Sequence, residues 1–266
     1  TVARPAFLIT IDTEGDNVWH LRQPGAAQTR NAAFLQRFQA LCERYGFKPT
    51  YLTNHEMACS EVFCEFARDA LARGTAEVGM HLHAWDSPPL WPLTEADHRH
   101  HPFLVDYPRD QMRAKIAHMT DLLEDRFGRK MRSHRAGRWA FNEVYAELLI
   151  ERGYCVDCSV TPGVSWTRTA GAPGRCGSDY TRFPDRAYFV EASDIAKPGT
   201  SPLLEVPMTI RQSWAKRRVP TLYRGESHLL GGPRGWKRPI WTLKTRLLLR
   251  QFDGFLSPGV RVKEYL

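Results

Sequence analysis

The chain has 266 residues with 37 Lys and Arg against 29 Asp and Glu, a net charge of +8 and a sequence pI near 9.3. Apolar residues at 42 % and aromatics at 11 % exclude a disordered chain. A mean hydropathy of -0.44 and the lack of an 18-residue apolar run exclude a membrane-spanning helix.

Strand and helix patterns alternate from the start. Residues 6–11 form a continuous apolar strand, and residues 31–45 keep helical spacing through Phe34, Leu35, Phe38, Leu41, Cys42 and Tyr45, with Asn31 as cap and Gly46 as stop. Residues 49–53 read as a second strand. Residues 60–73 read as a helix capped by Ser60, closed by Gly74, with Val62, Phe63, Phe66, Ala70 and Leu71 inward. A third strand covers 77–83, followed by a loop rich in Pro and His. The helix 109–127 carries Met112, Ile116, Met119, Leu122, Leu123 and Phe127 as one stripe ending at Gly128. A short strand at 131–135 and a helix at 142–152 complete four units, and 155–160 begins a fifth. Such alternation predicts parallel strands with helical crossovers. No repeat, linker or low-complexity tract divides the chain, so a single domain over 1–266 is expected.

The excess positive charge is local. Residues 211–250 hold eleven Lys or Arg and one acid, Glu226. The segment suits polyanions, and within it 241–252 has the mixture of a membrane-surface helix. Six cysteines in a chain of this length do not make a disulfide scaffold, and no signal-peptide pattern opens the sequence. Both point to a reduced, cytoplasmic protein.

The chemistry concentrates at strand ends. Asp12 and Glu14 leave the first strand two residues apart, hence on one face, where α/β barrels keep catalytic groups. Two adjacent carboxylates repel unless they share a proton or bind a cation. His81 and His83 repeat that spacing at the third strand, and two imidazoles with one carboxylate form the ligand set of a hydrolytic zinc-like centre. At the fourth strand end Arg135 is suited to orient a carboxylate and Trp139 to stack on a sugar ring. Asp157 and Ser159 come from the fifth. Other fragments are set aside. His55-Glu56-Met57-Ala58-Cys59 opens like a zincin helix but lacks the second His, and Cys155-x-x-Cys158 has no second pair. His98, His100 and His101 crowd one loop. There is no Walker A loop, G-x-G-x-x-G or G-x-S-x-G.

TIDTEGD, EVGMHLHAW, SHRAGRW and GYCVDCSVTP, in this order, resemble the motifs of the polysaccharide deacetylase superfamily, the NodB-homology domain of carbohydrate esterase family 4, most nearly its WalW-type branch. The resemblance spans about residues 6–210. It implies an α/β fold, a distorted (β/α)7 barrel, and metal-dependent removal of N-acetyl or N-formyl groups from amino sugars. By position it implies Asp12 as catalytic base, Glu14 and His81 as metal ligands and Arg135 as the partner of the base. Three departures follow. Trp85 stands where the common pattern has its second histidine, so His83 is assigned as the third ligand. Glu14 replaces the usual Asp. The final histidine motif is missing, so the expectation is a chain cut just before it, with His228 as the alternative acid.

The resulting expectation is one divalent ion, zinc before nickel, cobalt or manganese, held by Glu14, His81 and His83. Asp12 and Arg135 are expected to act in catalysis, with Trp85, Trp139 and Asp157 against the sugar and a backbone N–H near Gly15 as oxyanion donor. The expected substrate is a surface-glycan precursor such as an O-antigen or capsule unit, glycan or lipid-linked, with residues 211–250 touching the inner membrane surface and nucleic acid demoted. A non-catalytic glycan- or polyanion-binding domain is the alternative.

Overall fold

A computed structural model describes residues 7–16, 18, 28–210, 222–224 and 254–256. They fall in two compact units, Thr1–Ile210 and Arg211–Leu266. The second unit contributes β9 (Leu222–Arg224) and β10 (Gly254–Leu256), a parallel pair. The remainder of 211–250, the helix expected at 241–252, His228 and the chain end lie outside the described residues.

The first unit is α/β. Its strands are β1 (Thr10–Thr13), β2 (Thr50–Thr53), β3 (Glu77–Leu82), β4 (Ser133–Ala136), β5 (Val156–Asp157), β6 (Tyr188–Glu191), β7 (Asp194–Pro198) and β8 (Leu204–Glu205). They form one eight-stranded sheet in the order β1-β2-β3-β4-β5-β8-β6-β7. The run from β1 to β8 is parallel, as alternating units predict. Beyond β5 the pattern loosens, and β6 pairs antiparallel with both β8 and β7. A short connection from β6 to β7 permits only a hairpin, because a parallel return needs a longer crossover.

The sheet is curled. β1 and β4 have two strands between them, about 14 Å in a flat sheet at ~4.8 Å per strand. Arg135 on β4 nevertheless bonds Thr10 and Asp12 on β1, so the inner faces of these strands oppose each other across an interior filled by side chains.

Helices α1 (Leu35–Arg44), α2 (His55–Ala58), α3 (Glu61–Ala72), α4 (Asp97–His100), α5 (Arg109–Phe127) and α6 (Glu143–Glu151) follow or interrupt the strands. α5 buries Met112, Lys115, Ile116, Met119, Thr120, Leu123 and Phe127, a stripe at helical spacing, and ends at Gly128 with φ 64. Each large apolar side chain so buried contributes about 1.5–3 kcal/mol. The Lys115 ammonium ends in the loop after β3, donating to the Ser87 and Pro89 carbonyls at 2.6 and 2.7 Å.

The first helix differs from its apolar pattern. It is preceded by a 3-10 turn over Arg30–Phe34, whose tighter winding shifts the phase, so Ala32, Gln39 and Cys42 face inward while Phe34, Leu41 and Tyr45 are exposed. Gln39 is inward because its amide bridges the Tyr51 hydroxyl and the Thr75 carbonyl. In α3, Val62 is exposed rather than inward, whereas Phe63, Ala70 and Leu71 are buried.

Candidate metal centre

Three strand ends converge on one interior point. From β1, Thr10, Asp12 and Glu14 alternate onto the inner face. From β3, Gly79, His81 and His83 do the same, and β4 supplies Arg135. Gly79 is required where β3 meets β4, because a Cβ there would run into the hydroxyl and carbonyl of Ser133.

The Glu14 carboxylate sits between the two imidazoles. Its Oε1 lies 2.9 Å from His81 Nε2 and 2.6 Å from His83 Nε2. The donor atoms of Glu14, His81 and His83 all lie within 4.8 Å of one another, with both histidines buried and Glu14 half-buried. His81 Nδ1 is 2.9 Å from the Arg135 carbonyl, which can only accept, so Nδ1 carries the proton and Nε2 is aimed at Glu14. A ring nitrogen anchored to a backbone carbonyl while its partner points at a carboxylate is the usual setting of a metal-binding histidine. Donors on a tetrahedral ion with bonds of about 2.0–2.2 Å stand about 3.3 Å apart. The observed spacings are slightly shorter, so a small swing of the exposed-side carboxylate opens the set. Two imidazoles and one carboxylate thus fit a divalent ion of the zinc class.

Electrostatics of the cluster are mutually reinforcing. Burial works against ionisation of Asp12, but the charges of His81 and Arg135 hold its carboxyl below the usual range. Burial likewise opposes the Glu14 carboxylate, and its bonds to His81 and His83 pull it well below the usual range. The His81 imidazole is raised despite burial by Asp12 and Glu14.

Arg135 fixes the geometry beside this cluster. Its Nη1 donates to Asp12 Oδ1 at 2.6 Å, its Nε to the Cys158 carbonyl at 2.9 Å, and its Nη2 to Thr10 Oγ1. The chain then turns sharply, with Arg138 at φ 56 and Trp139 at φ 60. Two consecutive non-glycine residues in the left-handed region cost about 1–3 kcal/mol each and persist only when their surroundings hold them. Here the Tyr180 hydroxyl donates to the Trp139 carbonyl, and the half-buried Trp139 ring lies under the Arg135 guanidinium at 5.0 Å.

Other expected residues are placed differently. Trp85 packs its ring 4.4 Å from that of His83, backing the ligand. Asp157 is fully buried and faces no substrate: its carboxylate accepts from His134 Nδ1 at 2.6 Å and from the Ser159 hydroxyl and amide at 2.9 Å each. The Gly15 N–H is not open to an oxyanion, because it donates to Glu56 Oε1 at 3.2 Å. Sequence reasoning missed Thr10 and Glu56. Thr10 shares the period-two face of Asp12 and Glu14, a signal that was present. Glu56 lay in the fragment set aside, and its inward turn beneath Gly15 has no local signature. Cys155 and Cys158 are free thiols.

No protein-family model and no curated protein matches the chain. Among solved structures it is similar to one described as a polysaccharide deacetylase from Mycobacterium smegmatis, with 16 % identity, 94 % of this chain and 74 % of that chain covered, and a TM-score of 0.49. It is similar to IcaB from Ammonifex degensii at 16 % identity, covering 77 % and 67 % of the two chains, TM-score 0.41. A third is a CE4 family pseudoenzyme from Bacillus anthracis, at 14 % identity over 52 % and 42 %, TM-score 0.37. No helix among the described residues is long and apolar enough to cross a membrane.

Proposed function

We propose that this chain is a metal-dependent carbohydrate deacetylase that removes an N-acetyl or N-formyl group from an amino sugar of a surface-glycan precursor. The observation that carries this reading is the adjacency of a buried Glu14–His81–His83 donor set and an Asp12 carboxylate braced by Arg135. The motif resemblance supports the substrate class.

A divalent ion bound there, zinc before nickel, cobalt or manganese, supplies Lewis acidity toward the amide and acidifies water. Asp12 acts as general base. Its side chain is 27 % exposed while that of Arg135 is 3 % exposed, so the carboxylate is anchored from inside and open toward the substrate. Arg135 keeps it ionised and aimed. The proton that Asp12 takes from the attacking water is the one the departing amine requires, so its return to the amine nitrogen closes the cycle as the C–N bond breaks. Trp139, with one face against Arg135, offers the other to the apolar face of a sugar ring. The positive charge of residues 211–250 supports contact of that segment with an anionic membrane surface, where lipid-linked substrates reside.

The test is release of acetate or formate from N-acylated amino sugars. Metal-loaded protein releases acid, EDTA abolishes it, and Asp12→Asn lowers kcat by about 10²–10⁴-fold with metal content intact. Full activity in a metal-free preparation overturns the reading. Sugar binding without acid release would instead make the chain a glycan-binding module.

A further inference from the structure

Next to the seat of Arg135 lie two buried carboxyls that the mechanism does not use. The register of β5 with β8 sets Asp157 opposite Glu205, and both side chains are fully buried. Their carboxyls are hydrogen-bonded to each other. A carboxylate only accepts, so two in contact require a proton between them.

The partners of each carboxyl decide where that proton sits. Asp157 accepts from His134 Nδ1 at 2.6 Å and from the Ser159 hydroxyl and amide at 2.9 Å each, donors that favour its ionised form. Glu205 Oε1 accepts from the Val160 N–H at 3.1 Å, and its Oε2 meets no donor. Burial and the Asp157 charge hold the Glu205 carboxyl well above the usual range, whereas the burial of Asp157 is outweighed by its bond to His134, which keeps it below. The other titratable groups facing the pair are His134 and Arg135 on β4, Tyr145 on α6, Cys158, Tyr180 and Tyr188 on β6. Burial keeps the phenols and the thiol protonated and the imidazole neutral, which leaves Arg135 as the cation among them. Glu205 is therefore the neutral acid, and its O–H is the fourth donor to Asp157, filling the acceptor sites of one carboxylate.

The pair reaches the centre through the two residues after Asp157. The Cys158 carbonyl accepts from Arg135 Nε at 2.9 Å, and the Ser159 hydroxyl, itself held by Asp157, accepts from the Ala136 N–H at 2.8 Å. Arg135 is thus gripped both at its side chain and at the peptide that follows it. We infer that Glu205 is a positioning residue of the centre proposed for catalysis: its proton ties β8 to Asp157, and Asp157, through Cys158 and Ser159, holds the Arg135 guanidinium against Asp12. The effect on rate rests on the proposed hydrolytic role, whereas the proton and the hold on Arg135 do not.

Two substitutions in the full chain test this. Glu205→Gln keeps a donor and an acceptor in the same volume, and Glu205→Met keeps the volume and loses both. The Arg135 Nε–H is followed in proton–nitrogen correlation spectra, identified by its disappearance in Arg135→Lys. Its exchange with solvent is expected to be at least about tenfold faster in Glu205→Met and restored to within about twofold of the parent in Glu205→Gln, with unchanged far-ultraviolet circular dichroism. Per bound metal, kcat falls about tenfold in Glu205→Met at unchanged KM and is likewise restored in Glu205→Gln. Because Glu205 holds a proton in the folded chain that the unfolded chain releases above about pH 4.3, the parent loses stability relative to Glu205→Gln as pH rises beyond that value. Equal Nε–H exchange in the parent and both variants, or a stability difference constant with pH, overturns the inference. If Glu205→Met does not fold, Ser159→Ala, which cuts the link from Asp157 to Ala136, takes its place in the exchange measurement with the same expected acceleration. Faster exchange together with no acid release by the metal-loaded parent counts against the deacetylase reading and leaves this one standing.

Discussion

Arg135 on β4 donates to Asp12 on β1 at 2.6 Å, across an interior that separates two strands with β2 and β3 between them. The same guanidinium also holds the Cys158 carbonyl and Thr10, so its planar fork is used in three directions. Arg135→Lys keeps the charge and loses the fork. We expect kcat to fall by about 10²-fold with metal content unchanged, read from steady-state kinetics beside metal analysis.

Glu14 is the charged member of the metal set, lying between two imidazoles that carry no formal charge when they ligate. Glu14→Gln leaves a weaker, neutral oxygen in the same volume. Metal affinity should drop by at least about tenfold in competition with a chelator, with little change in thermal midpoint. Retention of full affinity would move the ion elsewhere.

Gly137 lies directly behind His83. A Cβ there would meet the Leu82 carbonyl and come within 2.7 Å of His83 Nδ1. Gly137→Ala must push the imidazole away from Glu14. The expected outcome is weaker metal binding than in Gly74→Ala, whose Cβ meets nothing within 4 Å although its φ of +66 strains the backbone.

Asp157 and Trp139 separate structure from recognition. Asp157→Ala leaves the buried His134 ring N–H and two Ser159 donors without their acceptor, each costing about 1–3 kcal/mol, seen as a lowered denaturant midpoint. Trp139→Ala should raise KM for the sugar at nearly unchanged stability. The reverse pattern would return Asp157 to the substrate.

Lys115 gives a pH dependence with a definite sign. Burial lowers its pKa to about 8, below the unfolded value of about 10.4. Between these values the unfolded chain binds more protons, so this residue's contribution to stability rises with pH across that window. Lys115→Met should lack the rise: relative to the parent, its denaturant midpoint should fall steadily from pH about 8 to about 10.4. A constant difference would refute the assignment.

Much of the site was legible because period-two spacing is a local property. Asp12 with Glu14, and His81 with His83, declare a shared face whatever the strands pack against. The helix over 109–127 was equally legible, since its stripe, first turn and terminal glycine agree. The first helix was not, because the 3-10 turn that sets its phase is held by Asp16 and Glu14 and the buried Gln39 by Tyr51 and Thr75, all distant in sequence.

By itself, then, the sequence determined the alternating α/β order, the strand ends that carry acids and imidazoles, and their likeness to deacetylase motifs. Tertiary structure decided which of those groups meet. The curl of the sheet brings Arg135 to Asp12, while the pairing of neighbouring strands sets Glu56 near Gly15 and Asp157 opposite His134. Spacing along a strand specifies a face, but the distance between faces depends on curvature summed over several strands, which no short window of residues encodes.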